Sequence, residues 1–328
     1  MSDTTATTPG TARPMRAIRQ EKAGGPEVLE LVETARPEPG LGEVLVRVHA
    51  AGVNPVDWKT RTRGRFYSGH TPPFTLGFDV SGVVEQVGEG VTVHAVGDEV
   101  YGMPRFPAPA GAYAEYLTAP ARHLAPKPHG IEHVRAAALP LAALTAWQCL
   151  VDTADVREGQ RVLIHAAAGG VGHLAVQIAK ARGAYVIGTA SAAKHEFLRG
   201  LGADELIDYH EQDFAEAVGD VDVVLESVGG DYPARSLRTL RPGGTLVSIL
   251  PLEESVYAEA GARGVRATRL VVEPDQAGLR GITELVESGR LRCEIAAVLP
   301  LEDAAKAHEL GETGAGKSTL VKMVARFY

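Results

Sequence analysis

One stretch constrains the fold more than any other: RVLIHAAAGGVGHLAVQIAKARGAYVIGTAS, residues 161–191. An apolar run enters a turn of small residues, then an amphipathic helical stretch and a second apolar run follow. Strand, turn, helix and strand within about thirty residues is the repeating unit of a parallel sheet. Small side chains at Ala168, Gly169, Gly170, Val171 and Gly172 let the backbone approach a pyrophosphate. The helix start adds N–H groups and partial positive charge. The turn reads as a dinucleotide phosphate site.

The end of the second run bears on which dinucleotide fits. A site for NAD usually carries an acid about 20 residues after the glycines, to hold the ribose 2′-hydroxyl. Here the sequence is Gly188-Thr189-Ala190-Ser191, with Lys194 close behind and no acid. A hydroxyl and an ammonium suit a 2′-phosphate, which a carboxylate would repel. NADPH is expected over NADH, with Ser191 and Lys194 as contacts. The alternative is that Lys194 is an ordinary solvated helix residue.

The rhythm of the 161–191 stretch continues through ELIDY, VDVVLESV and TLVSIL, with helical stretches between them. From about residue 129 the chain therefore reads as α/β, a doubly wound parallel sheet covered on both faces. Before that, EVLVRVHAAGV, SGVVEQVG and VGDEVYG alternate between Gly/Pro turns, as a mostly antiparallel β domain should. After Pro274 a helix (276–289), a strand in LRCEIAAVLPL and a helix in EDAAKAHELGE are expected. The boundaries drawn are a disordered arm 1–14, a β-rich first part 15–128, a nucleotide-binding part 129–273, and a closing part 274–328 with an atypical tail, 312–328.

Composition narrows the partners. Lys and Arg total 33 against 41 Asp and Glu, so the net charge of −8 argues against a broad nucleic-acid or anionic-membrane surface. Two cysteines, Cys149 and Cys293, make neither a disulfide framework nor a thiolate zinc cluster. The polar, Thr-rich first fourteen residues are not a signal peptide, and the most apolar window (Ala136 to Trp147) is short and broken by Pro140. A cytoplasmic location is expected.

The chain resembles the zinc-independent quinone oxidoreductase (zeta-crystallin-like) branch of the medium-chain dehydrogenase/reductase superfamily. The matching pieces include AAGVNPVDWKTRTRG, PFTLGFDVSGVVEQVGEGV, GAYAEYLTAP, AAALPLAALTAWQCL, the AAAGGVG turn, LGADELIDY, VDVVLESVGG and RPGGTLVSI, in order over residues 16 to about 311. The resemblance implies a GroES-like catalytic domain built from both chain ends around a Rossmann domain. It also implies NADPH-dependent reduction of quinones or conjugated enones by a homodimer, with VRATRLVVE (265–273) pairing across a two-fold axis. Two other readings stay open: a non-catalytic NADPH-binding redox sensor, and an enoyl reductase of a biosynthetic pathway.

The same resemblance places Asn54, Asp57 and Lys59 of NPVDWK beside the nicotinamide and substrate. Lys59 is expected to donate to the substrate oxygen and Asn54 to orient cofactor or substrate. Tyr67 is a looser candidate, and Asp57 has an alternative as a turn cap. Thr145 is expected near the nicotinamide, Tyr209 beside the adenosine ribose-phosphate, and Val228, Gly229 and Gly230 at the sheet's carboxyl edge. Metal-dependent relatives carry Cys where this chain has Val53-Asn54, and Gly-His-Glu where it has Gly77-Phe78-Asp79, so no metal is expected. The HGIEH stretch (129–133) matches a metalloprotease pattern but sits at a loop-to-helix start, and is read as non-metal. GETGAGKS (311–318) spells a phosphate loop, yet no strand precedes it and no ATPase domain follows. It reads as the approach to a last strand, or as a fused or frame-shifted terminus, without nucleotide hydrolysis.

Overall fold

The computed structural model describes residues 13–313 and the strand Met323–Arg326. Residues 1–12 of the expected arm and 314–318 of the phosphate-loop-like motif lie outside the described residues, while Pro14 already belongs to the first strand. Two large sheets carry the described chain. The first has seven strands. Its order runs β15 (Ala297–Pro300), β16 (Met323–Arg326), β3 (Glu43–Val53), β5 (Asp79–Val87), β6 (Glu99–Gly102) and β8 (Leu124–Pro126), with β7 (Tyr116–Pro120) also on β3. Apart from β15 on β16 its pairings are antiparallel. A small sheet of β1 (Pro14–Gln20), β2 (Leu29–Ala35) and β4 (Phe74–Thr75) flanks it. The expected last strand exists, and it enters this sheet between β15 and β3.

The second large sheet is parallel throughout, in the order β11 (Glu205–Asp208), β10 (Tyr185–Ala190), β9 (Arg161–Ile164), β12 (Val221–Glu226), β13 (Leu240–Ser248), β14 (Arg266–Arg269). Its strands are near-continuous apolar runs because both faces are covered. Along β9, Val162 and Ile164 join one core cluster while Leu163 joins another. The first cluster continues from β9 into the seven-stranded sheet, so one apolar core links the two.

Ten α-helices fill the described connections. α1 (Pro55–Arg63) follows β3, and α2 (His133–Ala137) and α3 (Pro140–Trp147) lead into the parallel sheet. Pro140 ends one helix and opens the next because it lacks an N–H. α4 (Gly172–Ala181), α5 (His195–Gly200), α6 (Phe214–Ala217), α7 (Tyr232–Ser236) and α8 (Glu254–Ala262) connect its strands, and α9 (Gln276–Glu287) and α10 (Ala304–Glu312) follow. Among the described residues no helix is long and apolar enough to cross a membrane.

One expected strand is shorter than its sequence suggests. Of LRCEIAAVLPL only Ala297–Pro300 is a strand. The backbone upstream bonds to side chains of α4 instead of a ladder. Gln177 accepts from Arg292 N–H and donates to its carbonyl (2.9 Å each), and Glu294 N–H meets His173 Nε2 at 3.4 Å. Gly311, which opens the phosphate-loop-like motif, lies in the last turn of α10 against Trp58. A Cβ there would sit 2.6 Å from Trp58 Cζ3, so this glycine serves helix packing.

Candidate active site

The order of the parallel sheet lines up most of the expected cofactor residues along its carboxyl edge. The turn between β9 and α4 stands at the centre. Ala166 holds φ +46°, a left-handed backbone rare for a residue with a side chain. Gly172 opens α4 directly over it, where a Cβ would lie 2.3 Å from the Ala166 carbonyl oxygen. Only glycine permits that approach. Ala168, Gly169, Gly170 and Val171 are half-buried at the helix start, where N–H groups have no partner within the helix. This is a cradle of the kind a pyrophosphate needs.

On one side lie the ends of β10 and β11. Ser191 and Lys194, both half-buried, flank a short 3-10 turn. Tyr209 is exposed beside His210, ring centroids 4.3 Å apart and planes tilted by 47°. An acid stands here as well. Asp208 accepts from His210 N–H (3.0 Å) and Ala192 N–H (3.1 Å), and these hold its carboxyl below the usual range. Its charge is engaged with these backbone groups. On the other side, Val228 and Gly229 follow β12. Their N–H groups donate to the buried Glu226 (2.6 and 2.7 Å), which also accepts from Ser248 Oγ (2.8 Å). Neither N–H is therefore directed at a ligand. What the segment offers is the exposed Val228 side chain and the tight Gly229-Gly230 turn, with both glycines at positive φ.

Beneath the phosphate turn lies a polar cluster with no counterpart among the expected residues. His165 is fully buried, 2.9 Å from Ser236 Oγ and 3.2 Å from Thr189 Oγ1. Burial first, and then the Arg235 charge, lower its pKa to about 3. On the other side of the turn His173 Nδ1 meets the Gly169 carbonyl at 2.8 Å. A polar residue ending an apolar run, as in RVLIH and VDVVLE, was the available signal for His165 and Glu226.

The NPVDWK residues come together around the start of α1, in roles that differ from those expected. Asn54 and Asp57 form a reciprocal cap, each side chain bonding the other's backbone N–H. Asp57 Oδ2 accepts from Asn54 N–H (2.7 Å) and Oδ1 from Gly77 N–H (3.2 Å). The fully buried Asp57 thus has the geometry of the turn-cap alternative. Asn54, 2% exposed, also donates to Asp79 Oδ2 at 2.9 Å, so its amide orients protein groups. Lys59 is exposed on the same helix. Tyr67 is 55% exposed with the Arg63 guanidinium over its ring, outside this buried group. Thr145 is buried on α3 and its hydroxyl donates to the Leu141 carbonyl at 2.7 Å.

At the positions expected to replace zinc ligands, Asn54 and Asp79 bond one another and Phe78 is buried in the apolar core. Among the described residues no group of three His, Cys, Asp or Glu side chains is arranged to hold a metal ion. In HGIEH, His133 bonds Ser81 Oγ (2.8 Å) and pairs with Glu99 (3.1 Å).

Comparison with known proteins bears out the two-part fold. Residues 40–129 match the family model described as alcohol dehydrogenase GroES-like domain, and 201–318 the one described as zinc-binding dehydrogenase. The quinone oxidoreductase of Mus musculus is 34% identical over 321 residues, covering 93% of this chain and 96% of that protein. The 2-haloacrylate reductase of a Burkholderia species is 36% identical over 324 residues, covering 88% and 92%. The crystal structure of Escherichia coli quinone oxidoreductase complexed with NADPH superposes with a TM-score of 0.83 at 32% identity, covering 95% of this chain and 99% of that one. A GroES-like β domain beside a Rossmann-type parallel sheet, matched almost end to end, makes the chain an oxidoreductase that belongs to the zeta-crystallin-like quinone oxidoreductase branch of the medium-chain dehydrogenase/reductase superfamily.

Proposed function

We propose that the protein reduces quinones or α,β-unsaturated carbonyl compounds with NADPH and without a metal. The observation that carries the reading is the carboxyl edge of the parallel sheet. There a glycine-lined phosphate cradle stands beside Ser191 and Lys194, at a strand end with no acid from 188 to 194. Gly172 lets the start of α4 pack directly on the Ala166-Ala167 backbone, where a Cβ would clash at 2.3 Å, so the helix N-terminus is brought onto the turn where a pyrophosphate would sit. Ala168 to Gly172 would hold it, Ser191 and Lys194 the 2′-phosphate, Tyr209 the adenosine side, and Thr145, Val228 and Gly229 the nicotinamide side. When bound, the nicotinamide supplies the hydride.

The chain's own part is placement and polarity. Lys59 offers its ammonium to the substrate oxygen and stabilises the negative charge that builds there when the conjugated carbon accepts hydride. Asn54 and Asp57 fix the start of its helix. With Asn54 and Asp79 satisfying each other where relatives bind zinc, the oxygen is polarised by a cation of the protein. Residues 15–128 and 274–328 would form the catalytic part and 129–273 the NADPH-binding part. A second copy would pair along β14, the free edge of the parallel sheet, and a cytoplasmic location suits two buried free thiols.

The test follows NADPH and NADH absorbance with a panel of quinones and enones. Fast loss of NADPH with either class, and little loss of NADH, is expected. Preference for NADH would overturn the roles given to Ser191 and Lys194, and no turnover with any acceptor would overturn the substrate class.

A further inference from the structure

Asp79 is fully buried at the start of β5, and its two carboxylate oxygens reach two different helices. Oδ2 accepts from Asn54 Nδ2 (2.9 Å), the residue that caps α1. Oδ1 accepts from Leu141 N–H (2.8 Å) in the first turn of α3. Pro140 has no N–H, so Leu141 carries the first donor of that helix, and a carboxylate there also meets the positive end of its dipole. The neighbouring strand makes room. A Cβ at Gly52, opposite Asp79 in the ladder, would lie 2.8 Å from Asp79 Oδ2 and 2.6 Å from the Ala137 carbonyl. One carboxylate thus joins two chains of hydrogen bonds. The first runs through Asn54 and Asp57 into the helix of Lys59. The second runs through Leu141, whose carbonyl accepts from Thr145 Oγ1.

We propose that Asp79 is a positioning residue that sets the spacing between α1 and α3, and hence between the substrate-side Lys59 and the cofactor-side Thr145. The proposal rests on the roles given to those two residues above. Hydride transfer depends steeply on the separation of the reacting atoms, and a misplacement of about 1 Å slows such steps by about a hundredfold. A buried clamp that never touches substrate therefore acts on kcat.

The bonding pattern suggests a reciprocal exchange as the experiment. In Asp79→Asn the single carbonyl oxygen serves either Leu141 or Asn54, and the amide faces a donor at the other. In Asn54→Asp two carboxylates face each other. The double variant Asn54→Asp/Asp79→Asn restores the bond between positions 54 and 79 with donor and acceptor exchanged, and keeps the acceptor for Leu141 N–H. The amide introduced at position 79 accepts from Leu141 and donates to the carboxylate introduced at position 54, which still accepts from Asp57 N–H. The variants are compared for kcat with 1,4-benzoquinone at saturating NADPH, for the NADPH Kd, and for the emission of bound NADPH.

Each single variant is expected to lose at least tenfold in kcat, roughly, with Kd changed less than about threefold, and the double variant to regain most of the loss. Single variants with wild-type kcat and emission would overturn the proposal, as would a double variant no faster than the slower single. So would losses of kcat and Kd in step with a lowered Tm, the signature of a merely structural role. If the wild-type protein oxidises NADPH with no quinone or enone, the functional reading fails by itself. The emission of bound NADPH then decides, being altered in each single variant and restored in the double, and unaltered emission overturns the spacing role.

Discussion

At the scale of single residues, chemistry and exposure divide the NPVDWK segment. Asp57 and Asn54 are buried and bonded to backbone and to each other, whereas Lys59 is exposed on the same helix. Truncating an exposed lysine leaves the fold within about 0.5 kcal/mol of its original stability. Removing a donor from developing oxyanion charge slows the chemical step by roughly a hundredfold. Lys59→Ala is therefore expected to keep its Tm and NADPH affinity while kcat with a quinone falls by about two orders of magnitude. Wild-type turnover in that variant would remove Lys59 from the reaction. The sequence made the glycine turn legible, since small residues at a strand-to-helix junction have few other uses. It left Asp57 open between reacting group and cap, because a carboxylate after an Asn-Pro pair serves either purpose. Asp79 stood in the sequence only as a missing zinc ligand, since its partners Asn54 and Leu141 lie 25 and 62 residues away.

At the scale of elements, apolar periodicity identified β9 to β13 of the parallel sheet and β3, β5 and β6 of the other. It failed where backbone partners are side chains, as in residues 291–296, whose bonds run to Gln177 and His173 on α4. The outermost strand β14 supports a prediction about assembly. Leu270 N–H donates inward to the Ser248 carbonyl at 2.8 Å. Alternate residues of a strand point their N–H groups to opposite sides, so that of Arg269 faces outward. Val271, just beyond the strand, is 55% exposed. If a second copy pairs along this edge, Arg269→Pro removes an outward donor without touching the inner ladder. The variant is expected to sediment as a monomer with its circular dichroism unchanged. An unaltered sedimentation coefficient would place any dimer contact elsewhere.

At the scale of the whole molecule, the two ends of the chain are tied by a buried polar chain that no local pattern announces, its members being up to 251 residues apart. Arg61 of α1 donates to Glu312 (2.7 Å) and to His308 Nδ1 (3.1 Å), both on α10. Arginine has only donors, so Nδ1 is the acceptor and Nε2 carries the hydrogen toward Tyr113 Oη at 3.3 Å. The histidine must stay neutral for this pattern to hold. Burial, and then the Arg61 charge, lower its pKa to about 3, and His165 under the phosphate turn is lowered to about 3 by burial and Arg235. In the unfolded chain both titrate near 6.5. Between pH 6.5 and 3 the unfolded state therefore binds about two more protons than the native state through these residues, so stability falls as pH falls across that window. Each histidine contributes a slope of about 1.4 kcal/mol per pH unit once its unfolded form is fully protonated. His308→Gln keeps an acceptor for Arg61 and a donor for Tyr113 but has no proton to gain. Denaturant unfolding between pH 6 and about 4.5, above the main carboxylate range, is expected to show this variant losing stability less steeply than wild type, by about one proton's worth. An unchanged slope would mean that His308 is already protonated in the native protein, beside Arg61, and that the tautomer assigned here is wrong.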